Sequence, residues 1–402
     1  MPLCVGFSVC DDRHSHLGES EALDNVPNVL ATQRVIETET SAYLIRQWLQ
    51  CSLYDRISTR PFLSEVEKLW ISYQLLYALR AAHERHVPHG DLKCENVLVT
   101  SSLTVYITDF SSSFKPTYLP LDDPSDFSLF FDSSARRTCY IAPERFYESL
   151  ADLPASSPPH PSMPSGLPNE SYVQHLGLER SQHPITEAMD VFSLGCVLAE
   201  LWRDGTPLFT LSQLFRYRKG ELDLQPMLEE IPHAGIRALV HDMLQVDPGA
   251  RPTLDSLLHG SQGTVFPESF YAILHLYLVD LQRRTGEEDE ASGLHESTDE
   301  RWQQARLMRL LEPDDRIEKL YEDWATLVRF FGDVPTSGQT QDVQLHSAIP
   351  RLSLPDCVPR IHVKSDNEVL VVLSVLLANV RHAQRASTKF HAMELLLHVV
   401  WG

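Results

Sequence analysis

The chain has 402 residues, a formal net charge of −21 and 43% apolar residues, so it has ample apolar material for ordinary cores. The acidic excess argues against a nucleic-acid binder, which would carry a basic face. Seven scattered cysteines without a CxxC pair favour a reducing compartment over a disulfide framework or a zinc site.

The N-terminal part of the chain begins without a clear periodic pattern. We predict an irregular segment over 1–27, which lacks the basic region of a signal peptide. Two strands rich in β-branched and aromatic residues are predicted next, at Val29–Val35 and Ala42–Leu49. Ser64 then opens a helix, because Glu67 completes a capping box and apolar residues follow at helical spacing. We expect that helix to be buried on one face.

The middle of the chain carries shorter elements. Two apolar strands at 97–99 and 105–107 predict a hairpin. Six prolines between 154 and 168 indicate an inserted loop, placed at 150–183. The segment 186–201 is apolar nearly all round, which predicts a core helix. Shorter helices are predicted at 211–218, 225–231 and 233–244, with a further turn up to 258.

The character of the chain changes after the middle region. Amphipathic helical patterns alternate with an acidic loop and a polar linker, so we predict a helical region over 261–402 that begins a repeat array. Its longest apolar run, 369–380, is shorter than the roughly 20 residues that cross a bilayer. A soluble protein of the cytoplasm is therefore expected.

A polar motif lies between the predicted helix and the hairpin. It reads His89-Gly90-Asp91-Leu92-Lys93-Cys94-Glu95-Asn96, and Asp109-Phe110-Ser111 follows the second strand. Phosphoryl transfer needs an acid that orients the attacking hydroxyl, a cation on the phosphate and oxygen ligands for magnesium. Asp91 and Lys93 suit the first two roles, and Asn96 with Asp109 suits the third. The alternative is structural, since an Asp after a strand often caps a turn.

The motifs, in this order and with Ala142-Pro143-Glu144 after them, resemble the catalytic lobe of a protein kinase. The resemblance implies an α+β protein-kinase-like fold with a truncated N-lobe and a mainly helical C-lobe, followed by an α-helical HEAT-like segment. The implied domains are the kinase-like domain at 28–260, with its N-lobe at 28–49 and its C-lobe at 50–260, and the helical region at 261–402.

The same resemblance implies ATP and Mg²⁺ as cofactors and assigns further residues. The hinge that faces the nucleotide would lie at Gln47, Trp48 and Leu49. Three residues would be structural: Glu144 and Arg251 as a buried ion pair, and Asp190 as the acid that braces the catalytic loop. His89 would be a packing residue.

Three longer stretches indicate a particular family among the protein kinases. Residues 53–62, 114–120 and 136–146 are similar to the kinase-like regulatory subunits of class III phosphatidylinositol 3-kinase, which act in vacuolar protein sorting and autophagy. This similarity implies the lipid kinase catalytic subunit and the associated autophagy and sorting subunits as partners. It also implies peripheral association with endosomal, vacuolar or autophagosomal membranes through that complex, and no nucleic acid.

The sequence departs from the kinase pattern at several positions. No GxGxxG loop precedes the predicted hinge and no lysine precedes Lys68, although a working kinase uses both. Gly90 stands where an arginine is usual, and Ser111 stands where glycine is usual. Two hypotheses follow: a serine/threonine kinase that uses Asp91, Lys93, Asn96 and Asp109, or a pseudokinase scaffold that restrains a lipid kinase. For this chain we predict little or no phosphoryl transfer.

Overall fold

The computed structural model describes residues 3–7, 22–23, 26–30, 34–37, 42–46, 48–49, 51–100, 103–110, 115–132, 136–148, 184–267 and 270–271. The chain divides into two compact units: one is formed by 1–62, 74–98 and 105–260, the other by 63–73, 99–104 and 261–402. The predicted loop at 150–183 lies outside the described residues, as does the predicted helical region beyond residue 271.

The N-terminal strands form a three-stranded antiparallel sheet. Strands β1 (Leu3–Phe7), β2 (Arg34–Glu37) and β3 (Ala42–Arg46) are arranged in the order β1-β3-β2. The prediction that 1–27 is irregular is therefore wrong at β1, whose five residues are too few for a periodic pattern and become a strand by pairing with β3. The predicted strand Val29–Val35 is also wrong in extent, because Val29 makes an isolated bridge to Ile107 and β2 starts at Arg34.

Two capped helices follow the sheet. Helix α1 (Leu53–Ser58) begins with a capping box between Ser52 and Asp55. Helix α2 (Glu65–His83) begins with the predicted box, in which Ser64 Oγ lies 2.7 Å from Glu67 Oε2, so this prediction is confirmed.

Helix α2 is buried nearly all round rather than on one face, so that part of the prediction is wrong. Its buried polar side chains have local partners. Ser72 donates to the Lys68 carbonyl at 2.7 Å, and Gln74 Oε1 accepts from the Val105 amide at 3.0 Å. Hydrogen-bonded polar groups cost little to bury, which is why a mixed sequence can form an interior helix.

The predicted hairpin is confirmed by strands β4 (Val97–Val99) and β5 (Val105–Ile107), which pair with each other. Strand β6 (Leu119–Pro120), helix α3 (Ser125–Phe130) and strand β7 (Phe146–Tyr147) follow, and β6 pairs with β7 in parallel. The pairing of β6 with β7 brings together the two ends of the segment that contains the Ala142-Pro143-Glu144 motif.

Helix α4 (Glu187–Trp202) is the predicted core helix, and every residue from Met189 onward is buried. It packs against α7, and a Cβ on Gly195 would lie 3.1 Å from Met243 Cβ, so glycine permits the close approach. The predicted helices at 211–218, 225–231 and 233–244 are confirmed as α5 (Leu211–Arg218), α6 (Gln225–Glu229) and α7 (Ala234–Met243). The predicted turn up to 258 is a longer element, helix α8 (Leu254–Ser261). Within the described residues, no helix combines the length and the apolarity needed to cross a membrane.

Candidate active site

Asp190 of α4 holds the loop between α2 and β4 through hydrogen bonds to its backbone. The Asp190 carboxylate accepts the backbone N–H of His89 at 2.7 Å and of Gly90 at 2.9 Å, and lies 2.9 Å from His83 Nε2. Burial alone would raise the pKa of Asp190, but the hydrogen bond and charge of His83 and the nearby loop hold it below its ordinary value. Asp190 therefore lies where a loop-bracing acid is expected.

His89 is enclosed and serves the loop as a packing residue. Its Nε2 lies 3.0 Å from the Thr108 carbonyl, its Nδ1 accepts the Asp91 amide at 3.2 Å, and its ring lies 4.5 Å from that of Phe110. Burial lowers the pKa of the imidazole, so the ring is held neutral. A neutral ring with both nitrogens engaged positions Asp91 and does not act on a substrate.

Arg145 connects the loop to the segment that follows Asp109. Its guanidinium donates to the carbonyls of Gly90 at 2.7 Å, Thr117 at 2.7 Å and Pro116 at 2.9 Å. Gly90 has φ +80°, a region that glycine enters without strain and that arginine would disfavour. Gly90, which departs from the kinase pattern, is thus suited to the conformation of the loop. The contacts of Arg145 with this loop were not predicted from the sequence.

Asp91 is buried beneath two lysines and an amide. Its Oδ2 lies 2.6 Å from Lys115 Nζ, 3.2 Å from Lys93 Nζ and 3.2 Å from Asn96 Nδ2. Lys93 also donates to the Phe131 carbonyl at 3.2 Å. The structure thus brings together three of the predicted site residues, Asp91, Lys93 and Asn96, around one carboxylate oxygen.

Lys115 is a site residue that sequence reasoning missed. Burial lowers the pKa of its ammonium group, and the attraction of Asp91 opposes that effect. Lys115 lies 24 positions from Asp91, in a stretch with little periodicity, so the sequence did not indicate their contact. The sequence hint at this position was the family-like Phe114-Lys115-Pro116. The ammonium group contacts one oxygen, Oδ2, of the carboxylate that a substrate hydroxyl would have to approach.

Asp109 lies at the end of β5 and is bound by Arg46 of β3. Arg46 Nε lies 2.9 Å from Asp109 Oδ1, and Arg46 Nη2 lies 3.1 Å from Oδ2, so the contact is bidentate. Asp109 has φ +62°, a left-handed backbone that Asp tolerates better than most residues. Arg46 was not singled out from the sequence, because it sits 63 positions from its partner.

The predicted hinge is described in part. Gln47 lies outside the described residues. Trp48 is 41% exposed, and Leu49 packs against a cluster formed by Leu30, Leu98 and Tyr106. The exposed indole and the packed leucine are compatible with a hinge, and their role toward a nucleotide stays a prediction.

The predicted magnesium ligands suit the ion in type but not in arrangement. Asn96 donates its amide N–H groups to the Asp91 carbonyl at 2.8 Å and to Asp91 Oδ2 at 3.2 Å. Both carboxylate oxygens of Asp109 accept from Arg46, so the guanidinium occupies the positions that a cation would take. Within the described residues no group of three or more His, Cys, Asp or Glu could hold a metal ion. With Asp109 bound to Arg46, this pair of residues as placed does not fit a bound magnesium.

Glu144 and Arg251 form an ion pair with two short contacts. Arg251 Nη1 and Nη2 lie 2.7 and 2.8 Å from the two Glu144 oxygens, and the Arg251 side chain is fully enclosed. Arg251 also donates to the carbonyls of Ala188 at 2.8 Å and Gln245 at 2.7 Å. The guanidinium thereby joins the Ala142-Pro143-Glu144 turn to α4 and to the loop after α7.

A second charge cluster lies around Arg136. Its guanidinium contacts Glu95 at 2.7 Å and Glu200 at 2.6 Å and stacks 3.9 Å from the ring centroid of Tyr54. Tyr140 donates its hydroxyl to the other oxygen of Glu200, and burial raises the pKa of that hydroxyl, so it remains a donor. Arg136 thus ties the segment before the Ala142-Pro143-Glu144 turn to the loop between α2 and β4 and to α4.

Replacing Tyr140 by Phe is expected to lower the free energy of unfolding by about 1–3 kcal/mol, because a buried Glu200 oxygen loses its donor. Urea unfolding followed by circular dichroism measures the change. Tyr54→Phe is the matched control, since it removes a hydroxyl but leaves the ring under Arg136, and it should change the free energy by less than about 0.5 kcal/mol. Equal losses in both variants would contradict the prediction.

Comparison with known proteins identifies relatives of the chain. A family profile described as "Protein kinase domain" matches residues 12–153. Serine/threonine-protein kinase VPS15 of Arabidopsis thaliana is 45% identical over 249 residues, which are 62% of this chain and 15% of that protein. The Saccharomyces cerevisiae protein of the same name is 38% identical over 311 residues, 77% of this chain and 19% of that protein.

A VPS15 protein of Komagataella pastoris is 35% identical over 382 residues, which are 93% of this chain. The similarity therefore extends past the kinase-like part. The chain spans a quarter or less of the length of these relatives, with 25% the largest share of the three.

Proposed function

Since this chain is a VPS15-like member of the protein-kinase superfamily, we propose that it is the kinase-like part of a regulatory subunit that acts in vacuolar protein sorting. Its partners in this proposal are the catalytic subunit of class III phosphatidylinositol 3-kinase and the associated autophagy and sorting subunits. Through them it associates peripherally with endosomal, vacuolar or autophagosomal membranes. The region 261–402 is proposed to begin a HEAT-type helical array.

The observation that carries this proposal is the state of the Asp91 carboxylate. Asp91 is 7% exposed, and the same oxygen contacts Lys115, Lys93 and Asn96. A general base must reach the hydroxyl proton within about 2.6–3.2 Å. The Lys115 ammonium at 2.6 Å occupies the approach to the Oδ2 oxygen. These contacts count against turnover of a substrate, which supports a regulatory role over a catalytic one.

Serine/threonine phosphoryl transfer from ATP is the second candidate. Three observations favour it: Asp91 and Asn96 are hydrogen-bonded to each other, Lys93 reaches the same carboxylate, and Asp190 braces the loop beneath them. In this candidate Asp91 would orient the hydroxyl and Lys93 would neutralise charge on the transferred group. ATP with Mg²⁺ is the cofactor pair proposed from the protein-kinase family, although Asp109 would have to release Arg46 to ligate the metal.

Radiolabel transfer from magnesium-ATP to the purified chain and to a generic protein substrate separates the two candidates. We expect label incorporation at or near background, because Asp91 and Asp109 are both held by cations. Asp109→Asn should then change nothing, and neither should Asp242→Asn, a matched control whose carboxylate is 60% exposed on α7. Robust transfer that Asp109→Asn abolishes and Asp242→Asn preserves would establish the kinase candidate and refute the inactive one.

The partner is tested separately by tagging the gene of this chain and purifying its complexes from the source cells. Recovery of a class III phosphatidylinositol 3-kinase catalytic subunit at near-equal amount is the expected result. A purified protein that repeatedly lacks that subunit would count against the regulatory role, whatever the transfer assay shows.

A further inference from the structure

The contact between Arg46 and Asp109 has the geometry of the strong class of ion pair. Two N–H groups of the planar guanidinium meet the two oxygens of one carboxylate, at 2.9 and 3.1 Å. Such fork-to-fork pairs combine two charge-assisted hydrogen bonds in a fixed orientation. The Arg46 side chain is only 16% exposed, so water competes weakly for it.

The same carboxylate belongs to a residue with an uncommon backbone conformation. Asp109 has φ +62°, and Thr108 Oγ1 lies 3.4 Å from its Oδ1. A left-handed aspartate is uncommon and persists where the surroundings fix it. The side chain is thus directed toward β3, and Arg46 is the cation that the described part of the chain brings to it.

A divalent cation and a guanidinium need the same lone pairs. Magnesium binds carboxylate oxygens at about 2.0–2.1 Å in near-octahedral geometry, which leaves no room for an N–H at hydrogen-bond distance along the same direction. A metal would therefore have to displace at least one arm of Arg46. The positive charge that remained beside Asp109 would also repel the metal.

We propose that Arg46 takes the place of a divalent metal at Asp109, so that the carboxylate is neutralised by the protein itself and binds metal poorly. The consequence for nucleotide binding rests on the proposed function, because it assumes that the site binds a nucleotide. In that case, the affinity for the nucleotide does not depend on a divalent metal. Arg46 is a positioning residue in this scheme, since it acts through Asp109.

The first test uses metal alone. Binding of Mn²⁺ to the full chain is followed by electron paramagnetic resonance for the wild type, Arg46→Met, and Arg46→Met combined with Asp109→Asn. We expect Arg46→Met to tighten Mn²⁺ binding about tenfold or more, as expected when one charge-assisted hydrogen-bonded pair no longer competes. The second substitution should reverse the gain. Arg216→Met, at an exposed position of α5, is the matched control and should leave Mn²⁺ binding unchanged.

Arg46→Lys keeps the proposal testable if Arg46→Met does not fold. Lysine retains the charge but cannot form the bidentate contact, so Mn²⁺ affinity should fall between those of the wild type and Arg46→Met. Wild-type Mn²⁺ binding as tight as that of the Arg46 variants would overturn the proposal. A gain in affinity that survives Asp109→Asn would also overturn it.

The second test measures binding of a fluorescent ATP analogue with magnesium and with a chelator. The wild type should bind equally in both within about twofold, whereas Arg46→Met should bind at least tenfold more weakly in the chelator. A wild type that needs magnesium would overturn the metal-independent part. If no variant binds the analogue in either condition, the proposed nucleotide site fails, and the Mn²⁺ experiment still decides whether Arg46 excludes metal.

Discussion

Replacing Asp190 by alanine is expected to lower the free energy of unfolding by about 3–5 kcal/mol, because two backbone N–H groups and a histidine lose a buried charged acceptor together. The N–H groups of His89 and Gly90 lie 2.7 and 2.9 Å from the carboxylate, and the Asp190 side chain is 2% exposed. Urea unfolding at neutral pH measures the change.

The matched control for this variant is Asp242→Asn, which removes a carboxylate charge at an exposed position of α7. It should alter the free energy of unfolding by less than about 0.5 kcal/mol. An Asp190→Ala protein that is as stable as the control would contradict the role of Asp190 in holding the loop between α2 and β4.

The same carboxylate makes a pH-dependent contribution whose sign follows from its pKa. The pKa of Asp190 is lowered in the folded protein from its ordinary value of 3.8, so the unfolded chain binds the proton more readily. Stability from this group is therefore fully present above about pH 4 and is lost as pH falls through the folded pKa. The difference in unfolding free energy between wild type and Asp190→Asn should shrink over that acidic window. A difference that grows on acidification would contradict the lowered pKa.

Replacing Arg251 by methionine is expected to cost a similar amount, about 3–5 kcal/mol, because it leaves the Glu144 carboxylate without its cation. The substitution also removes donors to the carbonyls of Ala188, Gln245 and Val246, which lie 2.8, 2.7 and 3.2 Å away. Methionine fills much of the volume, so the loss reports on charge and hydrogen bonds. Thermal and urea unfolding measure it.

A surface ion pair provides the comparison for Arg251. Arg203 contacts Glu230 at 2.8 Å, but the Glu230 side chain is 56% exposed. Exposed pairs contribute about 0–1 kcal/mol, so Glu230→Gln should be nearly neutral. If Glu230→Gln and Arg251→Met cost the same, the enclosure of Arg251 would not be the source of its stabilising effect.

The elements that could be predicted from the sequence are those whose signal is local. The Ser64–Glu67 capping box marked the start of α2, and the run of apolar residues around Val191 marked α4 as interior. Both signals arise within a few turns of helix. The motif around Asp91 was also recognisable, because its acids and amide are close along the chain.

The residues that escaped prediction have distant partners. Arg46 and Asp109 are 63 positions apart, and Arg145 meets Gly90 across 55 positions. Arginine is a common surface residue, and nothing in its neighbours along the chain indicates which carbonyl or carboxylate it will reach. Strand β1 was missed for the same reason, since its pairing partner β3 lies far along the chain.

The Arg145 guanidinium is hydrogen-bonded to three main-chain carbonyls, and this bears on regulation by phosphorylation. Carbonyl groups are permanent parts of the chain and cannot be added or removed by another enzyme, unlike the phosphate that orders the activation loops of many kinases. The loop of Gly90 and the segment of Pro116 and Thr117 are therefore set once, when the chain folds. We expect phosphatase treatment to leave the protease resistance of residues 115–132 and 136–148 unchanged. The contacts of Arg145 thus hold these two segments together without a phosphate group.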